Sequence, residues 1–282
     1  MDALLRKLAA ARTFLIFPGD EERKRERALT SAADAAVLDL EDGVAPDAKE
    51  EARAAVGPFA EAPGGPARLV RVNDPLGEDG ARDLAAVARL EAPVGVLVPK
   101  ATVHAVERAA ELERPLVALV EDAAGIRDAY ALAEHPAVFA LALGSADLTA
   151  SLGLLPDGSG SELLFARSQL VVASGAARIR PPIDGPCLDV HDPAALEREV
   201  AAARTLGLLG KVCIHPDQVE GVRRGFAPTR AELEQARRVV AAWAAIVAHG
   251  GAVGVVDGLL VDPPVAERAR AVIEASEGSG TA

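Results

Sequence analysis

The sequence predicts a (β/α)8 TIM barrel followed by a C-terminal helical arm. Two observations carry this. Eight strand-length apolar segments recur between residues 14 and 216, nearly all followed by a helix-length stretch rich in Ala, Glu and Arg, with no break in composition between them. Polar residues collect just beyond the carboxyl ends of these segments, where parallel α/β folds face their ligands. A length of 282 residues fits one barrel or two smaller domains, and the unbroken alternation favours the barrel.

The eight apolar segments are residues 14–19, 35–42, 67–73, 94–100, 116–122, 138–145, 182–186 and 211–216. Helical composition fills 47–60, 78–91, 102–113, 127–134, 161–177 and 192–206, with acids often near the start. Pro181, Pro182 and Pro186 leave room for only a short seventh strand. Beyond strand eight, residues 229–249 read as a long amphipathic helix containing Trp243, opened by Pro228-Thr229 and stopped by Gly250-Gly251. A hairpin at 253–261 turns on Asp257-Gly258, and a last helix is entered through Asp262-Pro263-Pro264. The expected division is a catalytic barrel at 1–226, an arm at 227–275 and a disordered tail at 276–282. An apolar-faced arm added to a complete barrel is expected to pack on a neighbouring subunit.

Composition narrows the function. A net charge of −12 and only 3% aromatic residues oppose binding to nucleic acid or to an anionic membrane. No strand is followed by a G-x-G-x-x-G or P-loop pattern, which argues against a nucleotide-binding domain. Cys187 and Cys213 lack C-x-x-C spacing and read as buried free thiols in a reducing compartment. No apolar run approaches bilayer length, and the expected location is the cytoplasm.

The stretch 115–153 reads as strand, helix, strand, delivering Glu121 beyond one strand and Asp147 beyond the next, past Gly144 and Ser145. Either acid alone reads as a helix cap. As a pair at one barrel mouth they would repel, and a divalent cation such as Mg2+ would remove that cost. Asp39, Glu41 and Asp42 end strand two, Arg71 and Asn73 strand three, Lys100 strand four, Asp184 strand seven and His215 strand eight. Each has a local explanation: Asp39–Asp42 pairing with Lys49 and Arg53, Lys100 pairing with Asp184, His215 as a satisfied turn histidine. Their convergence at one end is costly unless something binds there.

With these residues in view, the chain resembles the citrate lyase beta-subunit-like proteins of the HpcH/HpaI aldolase family, from Arg12 to about Ile273. The matching stretches include Leu15-Ile-Phe-Pro-Gly-Asp20, Leu38-Asp-Leu-Glu-Asp-Gly43, Arg71-Val-Asn73, Val98-Pro-Lys100, Gly144 with Asp147, Ile183-Asp-Gly-Pro186, Gly210-Lys-Val-Cys-Ile-His-Pro216 and Asp257-Gly-Leu-Leu-Val-Asp-Pro-Pro264. The resemblance implies a barrel that makes or breaks carbon–carbon bonds in acyl-CoA or 2-oxoacid substrates with Mg2+. It implies Glu121 and Asp147 as metal ligands, Arg71 as the substrate arginine, and Asp39, Glu41 and Asp42 around the metal and its waters. Asp262 matches an aspartate supplied to a neighbouring subunit's site, in a homo-oligomer expected to be a trimer or hexamer. Asp122 departs from the family's usual Thr and adds a negative charge beside the metal, bearing on the substrate's carboxylate preference. Arg12, before strand one, and Arg23, in the helix after it, are expected to contact the CoA phosphates. The expected activity is cleavage of a 3-hydroxyacyl-CoA such as malyl-CoA or citramalyl-CoA. Alternatives are synthase or thioesterase chemistry at the same site, or a non-catalytic binding subunit.

Overall fold

The structure, a computed structural model, describes residues 1–277. Eight parallel strands form the barrel: β1 Thr13–Pro18, β2 Ala35–Asp39, β3 Ala67–Arg71, β4 Gly95–Val98, β5 Leu116–Val120, β6 Val138–Leu143, β7 Arg180–Ile183 and β8 Lys211–Cys213. From β1 to β7 each strand pairs with the next in sequence, and β1 also pairs with β8. The β7–β8 seam is closed by a single parallel bridge, Asp184 to Lys211, with Asp184 N–H donating to the Gly210 carbonyl at 2.9 Å.

Side chains alternate along each strand, so two cores form. The outer one packs Leu38, Val70, Val96, Ala118 and Leu141 against helix residues such as Val87, Val106, Leu132 and Leu170. The inner one joins Phe14, Val37, Leu69, Leu97, Leu119, Ala142 and Ile183 to Leu4 and Leu8 of the helix Asp2–Ala10, which therefore plugs the amino-terminal end of the barrel. Arg180 secures that plug. Its buried guanidinium donates to the carbonyls of Leu8 (3.1 Å), Ala11 and Leu209 (2.6 Å) and lies 5.3 Å from the Phe14 ring centroid.

Several expected boundaries differ, three of them for a clear local reason. Strand seven starts at Arg180 and ends at Ile183, because its two prolines are tolerated beside the weakly paired seam. The helix expected over 47–60 is divided into a 3-10 turn and helices Lys49–Ala54 and Val56–Glu61. Restarting at Val56 puts Pro58 in a first turn, where no N–H is needed. The helix expected to begin at Arg127 begins at Ala123, because Asp122 accepts the Gly125 N–H at 2.7 Å and caps it; a second helix, Ala129–Glu134, follows.

The chain divides into two compact units at Phe226/Ala227. In the second, the helix Arg230–Ala248 opens with a capping box between Thr229 and Glu232. An antiparallel hairpin, Gly254–Val256 with Leu259–Val261, turns through positive φ at Asp257 and Gly258. The last helix, Pro263–Glu277, packs with the first around Ala236, Val239, Val261 and Ala269. Ser276 and Glu277, assigned by sequence to a tail, finish this helix, and residues 278–282 lie outside the described residues.

Candidate active site

Asp39, Arg71 and Glu121 each follow an inward residue (Val37, Leu69, Leu119) by two positions, so strand parity turns all three into the carboxyl-terminal mouth. There they meet a cavity of about 340 Å³ lined by Asp42, Arg71, Glu121, Ser145 and Asp147 above and by hydrocarbon below. Arg71 and Asp39 are register partners on adjacent strands. Their ion pair is bidentate, with Nε to Oδ1 at 2.6 Å and Nη2 to Oδ2 at 2.7 Å. Arg71 Nη1 lies 3.1 Å from Glu41 Oε2. Burial alone would weaken the Arg71 charge, but Asp39 and Glu41 outweigh it and hold the guanidinium above its ordinary range. Asp39 is itself fixed by the N–H groups of Glu41 and Gly43, each at 2.9 Å. A Cβ at Gly43 would sit 2.3 Å from Asp39 Oδ2, so this turn requires glycine.

Glu121 is 3% exposed. Its Oε1 accepts the Lys100 N–H at 2.6 Å, presented from a backbone with φ of +43°. Burial, and then the neighbouring Asp147 and Glu41, push the Glu121 carboxyl up to about 8 against that hydrogen bond. Asp147 lies exposed in the first turn of the helix Ser145–Leu152, which has no side-chain cap bond, while Asp122 caps the helix after β5. The Asp122 charge is thus directed at a helix N-terminus. A Cβ at Gly144 would approach Glu121 Cβ to 2.5 Å, so glycine there makes room for the carboxylate.

The other acids do not pair as their spacing implied. Glu41 bonds both Arg71 and Lys100, and Asp42 lies 3.1 Å from Lys100 Nζ. Lys49 instead donates to the carbonyls of Leu40 (2.8 Å) and Glu41 (2.6 Å) and to Asn73 Oδ1. Arg53 bonds the fully buried Asp83 at 2.7 Å, and Asp83 also accepts from Asn73. Asp83 thus underpins the mouth from mid-helix, and nothing in its sequence surroundings marks it.

Asp184 follows the inward Ile183 and therefore points out of the barrel. It is fully buried between Arg167 (2.8 Å) and Lys211 (2.7 Å), not paired with Lys100. His215 is a turn residue whose Nδ1 accepts the Asp217 N–H at 3.2 Å. Arg12 immediately precedes β1, at the end of the barrel opposite the mouth, with its N–H on Asp34 at 2.9 Å; the expected phosphate contact there is withdrawn. Arg23 is exposed at the start of the helix Glu22–Leu29, on the mouth side. Asp262 belongs to the second unit, where its Oδ1 accepts the Val265 N–H at 3.1 Å.

A family model described as HpcH/HpaI aldolase/citrate lyase matches residues 12–216. The chain belongs to this family. Relatives in the wider group include a (3S)-malyl-CoA thioesterase of Cereibacter sphaeroides, 37% identical over 89% of either chain. The Escherichia coli citrate lyase subunit beta is 34% identical over 98% of this chain and 96% of its own. Among solved structures, CitE from Mycobacterium tuberculosis in complex with magnesium, acetoacetate and coenzyme A superposes with a TM-score of 0.82 at 32% identity, covering 95% of this chain and 99% of that one. The HpcH/HpaI match spans all eight strands up to Pro216, so the mouth described above lies wholly within it. Among the described residues, no helix is long and apolar enough to cross a membrane.

Proposed function

We propose that the protein is a magnesium-dependent carbon–carbon lyase of the cytoplasm. It cleaves a 3-hydroxyacyl-CoA of the malyl-CoA or citramalyl-CoA kind into an acyl-CoA and a 2-oxoacid. The observation that carries this reading is the convergence of Glu121, Asp147 and Arg71 on one cavity at the carboxyl end of the barrel. The donor set suits magnesium. Three carboxylates line the cavity, of which Asp42 is paired with Lys100, leaving Glu121 and Asp147 for an ion that keeps waters or substrate oxygens as its other ligands. Burial, and then the neighbouring Asp147 and Glu41, raise the Glu121 carboxyl, and a cation held between Glu121 and Asp147 would favour its charged form. Bound there, magnesium supplies Lewis-acid polarisation of the substrate's oxygens.

Cleavage breaks the bond between the second and third acyl carbons. The 3-hydroxyl gives up its proton as its carbon becomes the oxo carbon, and the electron pair passes to the acyl-CoA carbon, which then takes up a proton. Arg71, held in one orientation by Asp39, offers its remaining N–H donors to the substrate carboxylate without reorganising. Asp262 from a neighbouring copy, in a homotrimer or hexamer, exchanges the proton at the acyl-CoA carbon. Arg23 meets the CoA phosphates. Mixing inactive Asp262→Asn and Glu121→Gln proteins under subunit exchange should restore part of the activity, and no recovery would remove Asp262 from the shared site.

The thioesterase name of the 37% identical relative favours a second reading, hydrolysis of the thioester at the same site. One experiment separates the two. Purified protein with Mg2+ is given malyl-CoA and citramalyl-CoA, and acyl-CoA, 2-oxoacid and free CoA are quantified by mass. Equal yields of acyl-CoA and 2-oxoacid are expected. Free CoA with the intact hydroxyacid would establish the hydrolase, and no turnover of any thioester would overturn both.

A further inference from the structure

We infer that the Ser145 hydroxyl is a substrate contact, donating a hydrogen bond to the 2-oxoacid half of the substrate. The inference rests on the proposed function and adds a binding residue to it. The polar side chains lining the cavity are Asp42, Arg71, Glu121, Ser145 and Asp147, and Ser145 alone is uncharged. The ionised acids can only accept hydrogen bonds. Arg71 can donate, but much of its guanidinium is already taken. Its Nε and Nη2 are spent on Asp39, and Nη1 lies 3.1 Å from Glu41 Oε2. A bound 2-oxoacid presents several acceptor oxygens, and the N–H groups left to Arg71 are too few to meet them all.

Ser145 is available for this role. It is 8% exposed, and its side chain makes no hydrogen bond to any of the described residues. A hydroxyl so enclosed and unpaired is costly, and the space it opens to is the cavity. The loop after β7 backs it. A Cβ at Gly185 would sit 2.2 Å from Ser145 Oγ and 2.9 Å from the Leu143 carbonyl oxygen, so glycine there lets main chain close directly behind the hydroxyl.

Its position also selects the half of the substrate it meets. Ser145 opens the helix Ser145–Leu152 two positions before Asp147, and follows Gly144, where a Cβ would lie 2.7 Å from Glu121 Oε2. Ser145 therefore stands on the turn that meets both carboxylates proposed to hold Mg2+. The oxygens that such an ion polarises belong to the 2-oxoacid half.

The test is calorimetry on the full chain, comparing wild type with Ser145→Ala. Each is titrated with Mg2+ alone, with pyruvate or glyoxylate in saturating Mg2+, and with acetyl-CoA. Ser145→Ala should weaken binding of both 2-oxoacids by at least about tenfold, since the hydrogen bond lost is to a charged ligand. Affinities for Mg2+ alone and for acetyl-CoA should be unaltered. The ligand-free melting temperature should hold or rise, because the substitution removes an enclosed hydroxyl that has no partner. A lowered melting temperature would make Ser145 structural and overturn the inference. Unchanged 2-oxoacid affinity would also overturn it, as would a loss shared by Mg2+ or acetyl-CoA. Wild-type cleavage of malyl-CoA or citramalyl-CoA keeps the two proposals apart: with cleavage intact, any of these outcomes removes Ser145 alone. A wild type that binds neither 2-oxoacid and cleaves neither thioester would overturn both.

Discussion

Two clusters of charge are built around acids that follow the carboxyl ends of barrel strands, and they differ in which way they face. Asp42, Arg71, Glu121 and Asp147 line the cavity, and Asp39, Glu41 and Lys100 join the same cluster through their ion pairs with Arg71 and Asp42. Asp184, Arg167, Lys211 and Glu199 form a second network outside the barrel, where both acids are paired. Strand parity separates them: Asp39, Arg71 and Glu121 fall on inward positions and Asp184 on an outward one. An ion cluster becomes a site where charge is left over and space adjoins it; balanced and sealed, it is a fastener.

The sharpest way to break this comparison is to neutralise one acid in each cluster. Mg2+ should raise the melting temperature of the wild type, and Glu121→Gln or Asp147→Asn should abolish both turnover and that rise while leaving the metal-free melting temperature nearly unchanged. Full turnover in either variant would remove the pair from the chemistry. Asp184→Ala should do the reverse, costing about 3–5 kcal/mol by urea unfolding because two cations lose their buried partner.

Acid should expose the same difference. Lys211 and Arg167 outweigh the burial that would raise the Asp184 carboxyl, and hold it below the usual range. A group depressed in the folded state contributes stability fully above its unfolded pKa, about 3.9, and loses it as pH falls through the folded value. The stability gap between wild type and Asp184→Asn should therefore close below about pH 4. A gap that persists or widens there would contradict the pairing.

Within the mouth, Arg71→Lys keeps charge but loses the fork that Asp39 grips, and turnover should fall roughly 10²-fold. Asp39→Asn should lower kcat more than it raises KM, since it acts by orienting Arg71; a pure loss of stability would make Asp39 structural. Smallest of all, Arg23→Ala should weaken CoA-thioester affinity a few-fold, with a shallower salt dependence. Affinity indifferent to both salt and the substitution would exclude that contact.

The alternation of apolar and helical segments made the barrel legible, and the carboxylates beyond strands five and six made the mouth legible. Parity did not extend past strand seven, because Pro181 and Pro182 hide where β7 begins, and so Asp184 was assigned to the wrong face. Adjacency in sequence misled for Arg12, which lies beside β1 but a full strand length from the mouth. The support from Asp83, and the clearance that Gly43 and Gly144 provide, depend on contacts between segments that no local pattern encodes.

The Arg180 clasp on the amino-terminal helix has a bearing on the order of folding. Its hydrogen bonds join residues 172 and 169 positions apart in the chain, to Leu8 and Ala11, and a further one reaches Leu209. The helix emerges from the ribosome before the strands it plugs, yet its seat is complete only when the seventh strand and the approach to the eighth are in place. Contacts this distant in sequence close late and slowly. The stopper at the foot of the barrel is thus made before the barrel and settles among the last, with Leu4 and Leu8 waiting for their cover while the barrel is synthesised.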